Sequence, residues 1–160
     1  MTAVEQTTVM TMLNGENILS PSDHDDDIIN HSIFDQLLGM DDGDDHEFSR
    51  ALVWDFFEQA EGALVEMDQA MTALDFTELS RLGHFLKGSS AALGLTKVKL
   101  SCERLQHYGN LTDETGKNSI TEEEAKTLSL ALLVQMRSEY KEAEVYLREF
   151  YESQEDTESQ

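Results

Sequence analysis

From residue 29 to about residue 150, the apolar side chains of this sequence recur three or four positions apart with almost no β-branched alternation. That period belongs to helices, and the single proline, Pro21, lies outside the span. Ile29, Ile33, Leu37 and Met40 predict a short first helix. A long second helix follows Asp41 to Asp45, with the stripe Phe48, Leu52, Phe56, Ala60, Leu64, Met67 and Met71. Asp75 and Glu78 have the spacing of a capping box and open a third helix, which carries Leu79, Leu82, Leu86 and Leu93 and runs to about Gly94. Gly94 is a stop, and Val98, Cys102 and Leu105 mark a fourth helix ending near Gly109. Residues 110–120 lack periodicity and read as a loop. Thr121 and Glu124 form a second capping box, ahead of a last helix bearing Ala125, Leu128, Leu132, Met136, Tyr140, Ala143, Leu147 and Phe150. Such stripes can be buried together only in an antiparallel bundle. The expected fold is therefore all-α, a four-helix bundle with a short extra N-terminal helix.

The bundle is expected over residues 29–152 as one domain, since 160 residues leave little room for a second. Residues 1–28 are polar and include the run Asp23 to Asp27, interrupted by His24, so a disordered acidic arm is expected there. Residues 153–160 are expected to form an acidic tail. With 33 acidic against 11 basic residues the formal charge is −22, which repels nucleic acid and anionic lipid and leaves proteins as partners. The lone Cys102 can form no intramolecular disulfide, which fits a reducing compartment. Met1 to Ser20 has no signal-peptide pattern, and no apolar run approaches a membrane span. A soluble, unexported chain is expected, in the cytoplasm and small enough to enter the nucleus.

The direction of His84 is informative. At about 100° per residue, Leu79, Leu82, Leu86 and Leu93 lie opposite it, so His84 faces away from the core. Its own stripe is Ser80, Arg81, His84, Lys87, Gly88 and Ala91, two cations among small residues. Gly88, one turn on, costs a helix interior about 1 kcal/mol relative to alanine and leaves space beside the imidazole. Lys87 sets an ammonium near any negative charge held on that ring. Arg81, Lys87, Lys97, Lys99 and Arg104 make residues 81 to 104 a cationic region with one acid, Glu103. A basic rim around a nucleophile suits a phosphoryl group and an acidic partner pocket.

The run from His84 to Gly94, His-Phe-Leu-Lys-Gly-Ser-Ser-Ala-Ala-Leu-Gly, resembles the signature of histidine phosphotransfer domains in its fungal form. Ile29-Asn30, Ser32-Ile33, the stretch from Gln36 to Asp42, and Phe48-Ser49 resemble the N-terminal helix and acidic turn of the fungal phosphorelay intermediates. Cys102-Glu103-Arg104-Leu105-Gln106 is a third match. The resemblance covers about residues 29–109 and, more weakly, the last helix.

It implies a carrier that accepts a phosphoryl group on His84 from the receiver domain of a hybrid histidine kinase and passes it to response regulators. By motif position, Lys87 would stabilise the phosphoryl group, Gly88 would keep the ring accessible, and Ser89 and Gln106 would line the site. Ile33, Phe34, Leu37, Met40, Phe48 and Leu52, with Arg81 and Phe85, would form the surface that receiver domains grip. Where some relatives carry a basic residue four positions after the glutamine, this chain has Asn110. A monomer is expected, because a carrier presents one face to successive partners. No cofactor is expected in this chain, with Mg2+ only in the partner receiver.

Plainer readings accompany these. Surface histidines are ordinarily solvated, and it is the neighbours of His84 that set it apart. Gly94 reads as a cap, Ser89 and Ser90 suit packing as well as a site, and Cys102 reads as a buried small hydrophobe. His24, His31, His46 and His107 lack metal-ligand spacing, so no metal site is expected. No P-loop or kinase loop is present to make ATP the direct donor. A sensor-kinase phosphoacceptor segment would have an acid after the histidine and a proline soon after, whereas Phe85 follows His84 here. A non-catalytic helical adaptor is the remaining alternative.

Overall fold

The computed structural model describes residues 28–158, and these contain five helices. They are α1 His31–Leu38, α2 Glu47–Ala73, α3 Phe76–Leu93, α4 Thr96–Gly109 and α5 Glu122–Glu158. In α1, α3 and α5 the cap comes from a residue immediately before the helix, whose side chain satisfies an otherwise unpaired amide. Asn30 accepts from Ile33 N at 3.3 Å, and Asp75 accepts from Glu78 N at 3.1 Å. At α5 the capping box is reciprocal, with Thr121 N donating to Glu124 Oε1 at 2.9 Å and Glu124 N donating to Thr121 Oγ1 at 3.1 Å. The third helix stops at Gly94, whose φ of 79° turns the chain left-handed while Gly94 N and Leu95 N bond back to Ala91 O and Ser90 O. Asn30 N then donates to Gly94 O at 2.6 Å, which ties the start of α1 to the end of α3.

The four long helices pack largely as the periodicity predicts, although Leu128 of the expected α5 stripe stays exposed. Leu79, Leu82, Leu86 and Leu93 are buried, as are Val98, Cys102 and Leu105 on α4 and Ala125, Leu132, Met136, Tyr140, Ala143 and Leu147 on α5. In α2 the core line runs through Val53, Phe56, Phe57, Ala60 and Met67, while Phe48 and Leu52, the first members of the expected stripe, stay exposed. Buried Ser49 and Val53 take the inward face of those first turns instead. The α2–α5 seam carries polar contacts. Tyr140 OH donates across it to Glu61 Oε2 at 2.8 Å, and within α5 buried Glu144 is held by Lys141 at 3.2 Å and Arg148 at 3.0 Å. The Arg148 guanidinium also lies 4.7 Å from the centroid of Phe57.

The closest helix approach is between α3 and α4. A Cβ on Gly83 would lie 2.9 Å from Cys102 O, and one on Gly109 would lie 2.6 Å from Ser80 N. Each glycine lets the partner backbone occupy the place of a side chain.

Two domain boundaries shift. Ile28, expected in the arm, is buried among the core residues, while the remainder of that arm, with His24, lies outside the described residues. Helix α5 continues to Glu158, through most of the segment expected as a tail. The one strand-like pairing among the described residues is an isolated bridge, Thr112 with Ser119, inside the expected loop.

Gly109→Ala should lose about 1–3 kcal/mol of stability by overpacking, read as a lower unfolding midpoint; an unchanged midpoint would refute the close approach. Burial alone would raise the Glu144 pKa, but Arg148 and Lys141 hold it below its ordinary 4.5. Its depressed value stabilises the fold above pH 4.5, a contribution lost as pH falls through the folded pKa. Acid titration of Glu144→Gln should therefore show a shallower loss of melting temperature than the parent.

Candidate functional site

Because the leucine face of α3 is consumed by the core, the opposite face of the same helix is left to solvent, and His84 is exposed there. Gly83, immediately before it, admits the α4 backbone, with Gln106 N 3.0 Å from the place of a Cβ. The turn bearing His84 thus sits directly against α4, and Gln106 is brought beside it, half-buried. One turn on, a Cβ built on Gly88 meets nothing within 4 Å. Internal packing therefore does not require that glycine, and the open volume beside the imidazole is free for a group from outside the chain.

Lys87 is half-buried, and no ion pair to it is found among the described residues. Ser89 Oγ donates to Gln59 Oε1 at 3.2 Å, which brings α2 to the site's edge. The other cations divide. Arg81 is held by Glu78, with contacts of 2.8 and 2.6 Å, and its Nη2 lies 4.0 Å from Glu66. The pairing lowers the Glu78 pKa and raises that of Arg81, but Arg81 is exposed and Glu78 only half-buried, so solvent screens the pair. Lys97 pairs with Glu142 at 3.2 Å. Lys87, Lys99 and Arg104 keep their charges without such a bridge among the described residues. Cys102 behind the site is buried, which pushes its thiol up to about 12, with Glu139 adding to the rise and Lys87 opposing it. It is a packing residue.

The expected gripping surface is partly corrected. Ile33, Leu52, Phe85, Phe48 and Met40 are between 36 and 63 % exposed, which leaves their apolar area open to solvent. Phe34 and Leu37 are only 2 and 8 % exposed and belong to the core. The reason is aromatic packing, since Phe34 stands edge-on to Phe150 at 5.4 Å and to Tyr151 at 6.4 Å. Ile33 instead lies over Gly94, where its Cβ is 3.2 Å from the place of a glycine Cβ. Among the described residues no cluster of His, Cys, Asp or Glu is arranged to hold a metal ion.

Sequence reasoning missed Gln59 and Gly83. Gln59 carries no local signal, because its partner Ser89 is 30 positions away across the α2–α3 hairpin. A signal for Gly83 did exist, as a helix-interior glycine beside a candidate histidine.

A model of the Hpt domain matches residues 51–144 of this chain. The multistep phosphorelay regulator 1 of Schizosaccharomyces pombe is 49% identical over 134 residues, which cover 83% of this chain and 45% of that protein. The phosphorelay intermediate protein YPD1 of Saccharomyces cerevisiae is 45% identical over 84 residues, 52% of this chain and 50% of that protein. The chain thus spans about half the length of the curated relatives it matches. Among solved structures, the histidine phosphotransfer signaling protein Ypd1 of Saccharomyces cerevisiae, co-crystallised with the receiver domain of its downstream response regulator Ssk1, superposes with a TM-score of 0.68 at 35% identity. That match covers 78% of this chain and 95% of the other. The histidine-containing phosphotransfer protein MtHPt2 of Medicago truncatula superposes with a TM-score of 0.71 over 87% of both chains at 20% identity, a likeness of fold.

Gly88→Ala should gain up to about 1 kcal/mol of stability from helix propensity, since nothing opposes the new methyl. A lower unfolding midpoint would show that a side chain of this chain occupies the space.

Proposed function

This chain belongs to the Hpt domain family, and on that premise we propose that His84 carries a phosphoryl group between the aspartates of successive receiver domains. The donor would be the receiver of a hybrid sensor histidine kinase and the acceptors those of response regulators. The observation that carries this reading is one exposed imidazole flanked by open space at Gly88 and by the unbridged ammonium of Lys87.

The chemistry follows from those parts. Neutral imidazole is a competent nucleophile without a dedicated base. One ring nitrogen attacks the phosphorus in line. A P–N bond forms as the P–O bond to the aspartyl carboxylate breaks, and the carboxylate leaves with that electron pair. We assign attack to Nε2, the nitrogen farther from the backbone, and the ring sheds its one N–H proton, on Nδ1, to solvent or keeps it as phosphoimidazolium. Transfer is governed mainly by positioning and charge neutralisation. Lys87 supplies a positive charge from this side, and the divalent ion of the receiver, expected to be Mg2+, supplies it from the other. Gln106 and Ser89, the latter bonded to Gln59, would serve as polar contacts for the phosphoryl oxygens.

The reading also accounts for the charge pattern. A chain of −22 has little affinity for nucleic acid or anionic lipid, whereas the local cations near His84 favour an acidic receiver pocket. Ile33, Met40, Phe48, Leu52 and Phe85 would supply the apolar grip, with Arg81 at its rim. We place the chain in the cytoplasm with access to the nucleus and acting as a monomer. In support, no described helix is long and apolar enough to cross a membrane, and the lone cysteine is buried and unpaired.

Incubation with a phosphorylated receiver domain should place acid-labile phosphate on the chain, and His84→Gln should abolish it with the fold intact. Label retained by that variant would refute the assignment. Lys87→Ala should slow transfer about tenfold or more while moving stability by no more than about 0.5 kcal/mol. Binding of receiver domains without any transfer would favour the adaptor instead.

A further inference from the structure

Between α1 and α2 the chain makes a turn, residues 39–46, whose two flanks carry the exposed Met40 and Phe48. The turn is acidic and faces solvent, yet one of its carboxylates points inward. The Asp41 side chain is 2 % exposed. Its Oδ1 accepts from Ser49 N at 2.7 Å, and its Oδ2 accepts from Ser49 Oγ at 2.8 Å. His46 Nδ1 lies 2.8 Å from the same Oδ2, and because an ionised carboxylate only accepts, the proton sits on Nδ1. Tyr151 OH, from the far end of α5, donates to Ser49 Oγ at 2.8 Å and completes the chain of bonds.

These bonds replace an ordinary helix cap. His46 stands at the N-cap position of α2 with a left-handed φ of 54° and makes no side-chain capping bond. The third amide of the helix, Ser49 N, is capped by Asp41 from eight positions upstream. Tyr151 is itself wedged edge-on between Phe34 of α1 and Trp54 of α2, with ring centroids 6.4 and 5.7 Å away. Thus α1, the turn, the start of α2 and the end of α5 are locked through one buried carboxylate. Burial opposes its ionisation, but the bonds from Ser49 and His46 outweigh that and hold its pKa below the ordinary value.

We propose that Asp41 is a positioning residue for receiver docking, whose buried bonds to Ser49, His46 and, through Ser49, Tyr151 hold Met40 and Phe48 in the arrangement that a receiver domain grips. The inference rests on the carrier reading of His84. Asp41 touches neither the imidazole nor the phosphoryl group, so its loss acts on binding and leaves the transfer step alone. Without the clamp the turn samples other conformations, and apparent affinity falls by the fraction that remains competent.

The test measures initial transfer from a phosphorylated receiver domain to the full chain against receiver concentration. Labelling by phosphoramidate, a donor too small to need the docking surface, is measured in parallel. Asp41→Ala should raise KM for the receiver about tenfold, with kcat and phosphoramidate labelling within about twofold of the parent. Asp41→Asn, which keeps an acceptor for Ser49 N, should recover part of the loss. Tyr151→Phe, which leaves the Asp41–Ser49 bonds in place, should raise KM by about threefold. It decides the matter should Asp41→Ala no longer unfold cooperatively. An unchanged KM in the folded variants overturns the inference, as does an equal loss of receiver and phosphoramidate labelling. A parent chain that takes no label from any receiver overturns the carrier reading and this inference together.

Discussion

The contact between the backbones of α3 and α4 at Gly83 and Gly109 sets the geometry of everything around His84. Two helices can approach this closely only where side chains are missing from both, and here each helix contributes one such position. The approach seats the leucine face of α3 in the core and turns the opposite face outward, so the exposure of His84 follows from the burial of Leu79, Leu82 and Leu86. It also brings Gln106 of α4 alongside. The site is rigid because it is built on the most closely packed pair of helices in the bundle.

Charge is organised around that rigidity. In a chain with three acids for every base, most cations are expected to be neutralised by neighbours, and Arg81, Lys97 and Arg148 are. Lys87 has no such partner among the described residues, because the positions three and four on are Ser90 and Ala91 in place of a carboxylate, so its ammonium stays available for a negative group from outside. The same emptiness at Gly88 serves access. Space and charge are two consequences of one stripe of α3 having been kept small.

The proposed docking area and the proposed reaction centre are supported differently. His84 rides on a helix whose position is determined by apolar packing, whereas Met40 and Phe48 flank an irregular turn that packing alone does not define. There a buried carboxylate does the work that leucines do in α3. Such a network is directional and fully bonded, and it specifies one conformation where an apolar contact would tolerate several.

The leucine face, the caps at Asp75, Gly94 and Thr121 and the outward direction of His84 were legible from residues alone. Each depends on interactions within four or five positions, where a period of 3.6 residues translates spacing into direction. Gln59 beside Ser89, the inward Asp41 and the reassignment of Phe34 to the core depend on partners 8 to 117 positions away. Phe34 and Ile33 are adjacent in the chain and equally apolar, yet one meets the rings of α5 and the other lies at the rim of α3. Local sequence determines which faces of a helix are apolar. Only the assembled bundle decides which part of an apolar face finds a partner and which is left for another molecule, because that depends on where neighbouring helices end.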